Sequence, residues 1–97
     1  MARYVTLYQF TDQGVRNVKD SPARLKAAIK KAESMGMKMI GTYYTEGPYD
    51  LIVISEAADE KAATAFALAT AAQGNVRSTT MRAHDPDEFE AIVKMMP

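Results

Sequence analysis

Met37-Lys38-Met39-Ile40-Gly41-Thr42-Tyr43-Tyr44-Thr45 and Tyr49-Asp50-Leu51-Ile52-Val53-Ile54-Ser55-Glu56-Ala57 are two runs rich in aromatic, β-branched and Met residues, separated only by Glu46-Gly47-Pro48. So short a turn makes them an antiparallel hairpin. In the second run Leu51 and Val53 point to one side of a pleated strand and Ile52 and Ile54 to the other, so both faces are apolar. Such a strand belongs inside a sheet that is covered on both sides.

Upstream of the hairpin, Leu25, Ala28, Ile29, Ala32 and Met35 recur at helical spacing, with Arg24, Lys26, Lys30 and Lys31 largely outside that stripe. Ser21 and Pro22 have the chemistry of an N-cap and first helical residue, and Gly36 supplies the left-handed stop. Ala2 to Phe10 alternates as a first strand, Val5 and Leu7 opposing Tyr4, Tyr8 and Phe10, and Thr11 to Asp20 is a polar connection. Downstream, Asp59 and Glu60 open a second helix, Ala-rich from Ala62 to Ala72 with Phe66 and Leu68 embedded, whose small residues permit close packing; Gly74 ends it. Asn75 to Ala83 forms a fourth strand. Asp85, Pro86 and Glu88 then give a capping-box start to a short tail helix carrying Phe89, Ile92, Val93 and Met96. The order βαββαβ plus a C-terminal helix predicts an α+β, ferredoxin-like sandwich, one domain over residues 1–97.

The 97 residues include 12 Lys and Arg, 12 Asp and Glu, one His, and no Cys or Trp. Without Cys there are no disulfides, thiolate zinc sites, iron-sulfur clusters or Cys nucleophiles, a composition compatible with the cytoplasm, where we place the protein. The first ten residues alternate like a strand instead of forming a signal peptide, and no run approaches the roughly 18 apolar residues of a membrane helix. We therefore expect no membrane association. Residues 1–45 hold eight bases and three acids, and the remainder four bases and nine acids, a complementarity that we assign mainly to solvated charge. With zero net charge and no basic-aromatic motif, nucleic acid is an unfavoured partner.

Two helices cover one face of a four-stranded sheet, leaving Ile52, Ile54 or their neighbours open on the other. Either the tail helix folds back or a second copy packs sheet against sheet. One short helix is too small for a whole sheet face, so we expect a homodimer or higher homo-oligomer.

Three separated segments, Thr11-Asp12-Gln13-Gly14-Val15-Arg16-Asn17-Val18-Lys19-Asp20-Ser21-Pro22, Gly47-Pro48-Tyr49-Asp50 and Gly74-Asn75-Val76-Arg77, together resemble the GYD domain family over nearly the whole chain. The resemblance implies a ferredoxin-like domain of the dimeric α/β-barrel group, found largely in bacteria and archaea. It implies no generally established reaction, so no catalytic role passes to Gly47, Tyr49 or Asp50.

The residues themselves offer few chemical candidates. His84, the sole His, precedes the tail-helix start beside Asp85 with no Ser or Cys placed as a nucleophile, and is better read as a surface residue. Asp50 is better read as a turn or strand-start residue than as an acid-base catalyst. Arg16 and Lys19 lie near the first helix start, where an anion is conceivable, but Asp12 and Asp20 dilute the charge and structural use is favoured. Met35, Met37, Met39, Met81, Met95 and Met96 read as core or interface. Tyr43 and Tyr44 alternate, as do Arg77 and Arg82, so one member of each pair enters the space between paired sheets; which one is left open. These four are the expected ligand-binding residues. We expect no metal and no cofactor.

The leading reading is a homo-oligomeric domain of unassigned biochemical function that binds a small, partly apolar ligand between paired sheets. Two alternatives stand beside it: a cofactor-free oxygenase or isomerase-like enzyme, by analogy with related barrels, and a structural or regulatory interaction module. Whether the chain is an enzyme is left undecided by its sequence.

Overall fold

The computed structural model describes all residues from Met1 to Pro97. Strand β1 (Ala2–Phe10) is followed by a short helix α1 (Asp12–Arg16) and a 3-10 turn (Val18–Asp20), then α2 (Ser21–Ser34), β2 (Met37–Tyr44), β3 (Leu51–Ala57), α3 (Glu60–Ala72), β4 (Val76–Ala83) and α4 (Pro86–Lys94). The strands form one sheet in the order β2-β3-β1-β4, and every neighbouring pair is antiparallel. This is the ferredoxin-like α+β arrangement predicted from the order of elements. No helix is long and apolar enough to cross a membrane.

Local chemistry explains most boundaries. Asp59 accepts a hydrogen bond from the Lys61 amide at the start of α3, and Gly36 and Gly74 follow α2 and α3 at φ 80° and 83°, where other residues are strained. At α4, Asp85 accepts from the Glu88 amide at 2.7 Å while Glu88 accepts from the Asp85 amide at 3.1 Å, completing the expected capping box.

Three expectations need correction. The connection Thr11 to Asp20 is not merely polar coil but holds α1 and the 3-10 turn, because Thr11 caps α1 by accepting from the Gly14 amide. Ser21 is the first residue of α2 rather than its cap, since its hydroxyl is hydrogen-bonded to the Tyr44 phenol at 2.9 Å. Leu68 is 66% exposed, on the outer side of α3.

Strand register divides the side chains cleanly. Met39, Ser55, Tyr4 and Arg82 lie in one row across the sheet, and Thr42, Val53, Thr6 and Thr80 in the next, all on the side of the helices. An irregularity in β2 between Met39 and Gly41 shifts the pairing there, leaving Tyr44 on the helix side and Tyr43 on the other.

The core is two small clusters under the helices. Ala32, Met37, Ala57 and Phe66 form one, and Tyr8, Leu51 and Val53 the other, with Met39 packed against both. Few side chains are buried, and no large one completely. The chain exposes 6698 Å², where a compact monomer of its 10.7 kDa exposes about 5,500 Å². Its radius of gyration is 14.7 Å, against about 12.5 Å for a compact domain of this length.

Candidate functional site: a sheet face, a hollow and a knot of hydrogen bonds

On the side without helices, two apolar rows cross the sheet. Ile54, Val5 and Met81 are cross-strand neighbours in the first, and Tyr43, Ile52 and Leu7 in the second. Lys38, Glu56 and Arg3 border them at one end, with Arg3 and Glu56 paired at 3.4 Å, and Gln9 and Arg77 border them at the other. An apolar centre between polar margins is the composition of a protein contact. The Tyr43 ring lies over Gly41, where a Cβ would approach it to 2.9 Å. The tail helix does not fold back as a cover: α4 makes no extensive contact with any other element, and its Phe89 and Val93 are 58% and 46% exposed.

The helix side holds a hollow instead of a solid core. A cavity of about 420 Å³ lies between α3 and the sheet, with Ala63, Thr64 and Ala67 as its roof and Tyr4, Ser55 and Thr80 in its floor. The small residues of α3 thus leave room here, where the sequence suggested close packing. A smaller space of about 80 Å³ adjoins it toward α2, sharing Tyr8, Met39, Val53 and Phe66. Burial pushes the Tyr8 phenol above its ordinary pKa, so it faces these spaces as a protonated hydroxyl.

Of the four residues proposed for a ligand, Tyr43 and Arg77 are on the helix-free face, and Tyr44 and Arg82 on the other. Arg77 donates to the Val76 carbonyl at 2.9 Å and to the Ala71 carbonyl of α3 at 3.4 Å, so its guanidinium turns around the sheet edge toward the helix layer, and Tyr44 is tied to Ser21. Arg82 reaches the hollow: its guanidinium stands 5.8 Å from the centre of the Tyr4 ring and donates to the Arg3 carbonyl at 3.2 Å and to the Ala83 carbonyl. The four therefore do not form one site. What sequence reasoning missed is the row Tyr4, Ser55 and Arg82 beneath α3; the alternation of β1 and β3 held that signal, but not which face the helices would take.

The three segments of the resemblance meet at the C-terminal end of β1. The Thr11 amide donates to the Asn75 carbonyl at 3.1 Å, and its hydroxyl to the Gly74 carbonyl at 2.6 Å. Gln13 donates to the Gln73 carbonyl and the Asn75 side chain. From the hairpin turn, Asp50 accepts from the Phe10 amide at 2.8 Å while its own amide donates to the Tyr8 carbonyl at 2.8 Å, and Thr45 closes the turn by donating to the Tyr49 carbonyl. Asp50 is thus spent on architecture. Gly14 is required by proximity: a Cβ there would stand 2.0 Å from the Asn75 carbonyl oxygen. Near the other end of β1, His84 lies 3.8 Å from Glu88 rather than being oriented by Asp85.

Comparison with known proteins agrees with this distribution of motifs. The chain is similar to a protein of Thermus thermophilus named glutamine synthetase and cystathionine beta-lyase binding protein, 29% identical over 84 residues that make up 86% of this chain and 88% of the relative. No solved structure matches it. The model of the GYD domain matches residues 4–93, and with nearly its whole length accounted for, the chain belongs to the GYD domain family.

Proposed function

We propose that this protein is a homo-oligomeric binding module in which two copies pack their helix-free sheet faces together as a dimeric α/β barrel, and the assembled unit binds other proteins. The observation that carries the reading is the pair of apolar rows through Ile54 and Ile52, covered by neither helix layer nor tail. Area supports it as well. The surface in excess of a compact monomer, about 1,200 Å², exceeds the roughly 800 Å² that each partner buries in a stable interface. The apolar stripe of α4, with Phe89 58% and Val93 46% exposed, would join the same contact. Binding of other proteins rests on the printed name of the Thermus thermophilus relative. A small ligand between the paired sheets would meet Tyr43; Arg77 is on that face by register, but its guanidinium is held at the Ala71 carbonyl of α3.

Sedimentation velocity of the native chain and of Ile54→Glu tests the assembly. The side chain of Ile54 lies away from the helices, so the variant should keep its circular dichroism while its mass falls from the dimer to the monomer, a charge opposed across a dry sheet contact being costly to bury. A folded Ile54→Glu variant with unchanged oligomeric mass contradicts it.

A further inference from the structure

The hollow beneath α3 is built on the face opposite the proposed contact, so its use is independent of self-association. Its interior is apolar, with Met37, Met39, Val53 and Phe66 in its wall, and its size is within the range of small-molecule sites, about 300–1,000 Å³. Two hydroxyls inside it belong to residues that are almost wholly buried, Ser55 at 4% exposure and Tyr8 at 8%. Thr6 and Thr80, in the neighbouring row, are hydrogen-bonded to each other at 3.3 Å, whereas neither Ser55 nor Tyr8 has a side-chain partner of this kind. Purely apolar filling would leave those hydroxyls unsatisfied.

Charge at the mouth narrows the chemistry. Arg82 is held in place by the Tyr4 ring and by two backbone carbonyls that take donors from Nη1 alone, leaving Nε and Nη2 unspent. No carboxylate pairs with it. Glu60 also lines the hollow, from the first turn of α3, and its negative charge disfavours a dianion.

We propose that this hollow is a binding site for a flat, apolar monoanion of the aromatic carboxylate class, its ring system between Phe66 and Met39 and its carboxylate at the Arg82 guanidinium. The Ser55 and Tyr8 hydroxyls serve polar atoms on the enclosed end of the molecule. The planar fork of Arg82 suits a carboxylate better than a single-point acceptor.

The probe is 6-hydroxy-2-naphthoate, whose hydroxyl supplies the polar atom for Ser55 and Tyr8, with 2-naphthol as the neutral counterpart that lacks the carboxylate; the chain has no Trp to obscure naphthalene fluorescence. Titrations should show one saturable naphthoate site per chain and at least tenfold weaker binding of 2-naphthol. Arg82→Gln should weaken naphthoate at least tenfold and leave 2-naphthol within twofold, whereas Ala67→Phe, which fills the hollow from its roof, should abolish both. Leu68→Ala, on the outer side of the same helix, should change neither. Circular dichroism and oligomeric mass are read on each variant, and Thr64→Met serves as the filling substitution if Ala67→Phe fails to fold. Amide shifts induced by naphthoate should centre on Ser55, Ala63 and Thr80. Absence of saturable binding at millimolar probe, binding that survives a folded filling variant, or binding lost in Leu68→Ala overturns the site. Equal affinity for naphthoate and 2-naphthol, unaffected by Arg82→Gln, overturns the anionic ligand class.

Discussion

The C-terminal end of β1 and the helix-free face of the same sheet are contrasting parts of one small molecule. At the first, Thr11, Gln13, Asp50 and Gly14 meet the Gly74-Asn75 backbone and the β1 main chain in short, specific contacts. At the second, Val5, Leu7, Ile52 and Ile54 present apolar surface with no helix above it. The residues that make the family recognisable are those that lock three chain segments together. Those that would meet a partner are ordinary strand residues with no motif among them. A family signature can thus record how a domain is held together while saying little about what it binds.

Gly14→Ala strikes the locked end hardest. The new methyl group collides with the Asn75 carbonyl, so either α1 or the start of β4 must move; we expect a loss of about 3 kcal/mol in denaturant unfolding. If the variant is as stable as the native chain, the junction is looser than its contacts indicate. Asp50→Ala is a milder break in the same place. It removes a charged acceptor from the Phe10 amide, which should cost about 2 kcal/mol, while Asp50→Asn retains an acceptor and should recover most of it. Equal losses in the two variants would assign the effect to the turn rather than to this bond.

Legibility in the sequence follows the same division. The capping box at Asp85, the cap at Asp59 and the glycine stops were readable because each depends on residues within a few positions of one another. Helix α1 was not, although its Thr11 cap is local: five residues with a glycine among them show no apolar periodicity, and they are seated by the contact of Gly14 with Asn75, far along the chain. Ser21 was misread because its hydroxyl is hydrogen-bonded to Tyr44, beyond the reach of a local pattern. In the candidate sites, alternation showed that β3 is apolar on both faces but not which face the helices take, and the irregularity near Ile40 obscured the orientation of Tyr43 and Tyr44. The Ala content of α3 was plain; the hollow it leaves depends on how far the helix stands from the sheet.

The smallest effect belongs to the open region, at the start of α4. The hydrogen bond from the Glu88 amide, aided by the Glu88 side chain and Arg3, holds the Asp85 carboxyl below its ordinary value. A carboxyl lowered by folding stabilises above its unfolded pKa and loses that contribution as pH falls through the folded one. Amide exchange in residues 86–94 should therefore quicken only in strongly acid solution, and Asp85→Ala should show that faster exchange already at neutral pH with the sheet unaffected. Identical protection in the variant and the native chain would remove the cap from the account.

The central claim, that the helix-free sheet face is closed by a second copy, is tested most directly by light scattering of the native chain after size exclusion at micromolar concentration. A sheet face closed by a second copy gives a mass of at least twice the 10.7 kDa of one chain. A folded protein with the mass of a single chain throughout that range would contradict it.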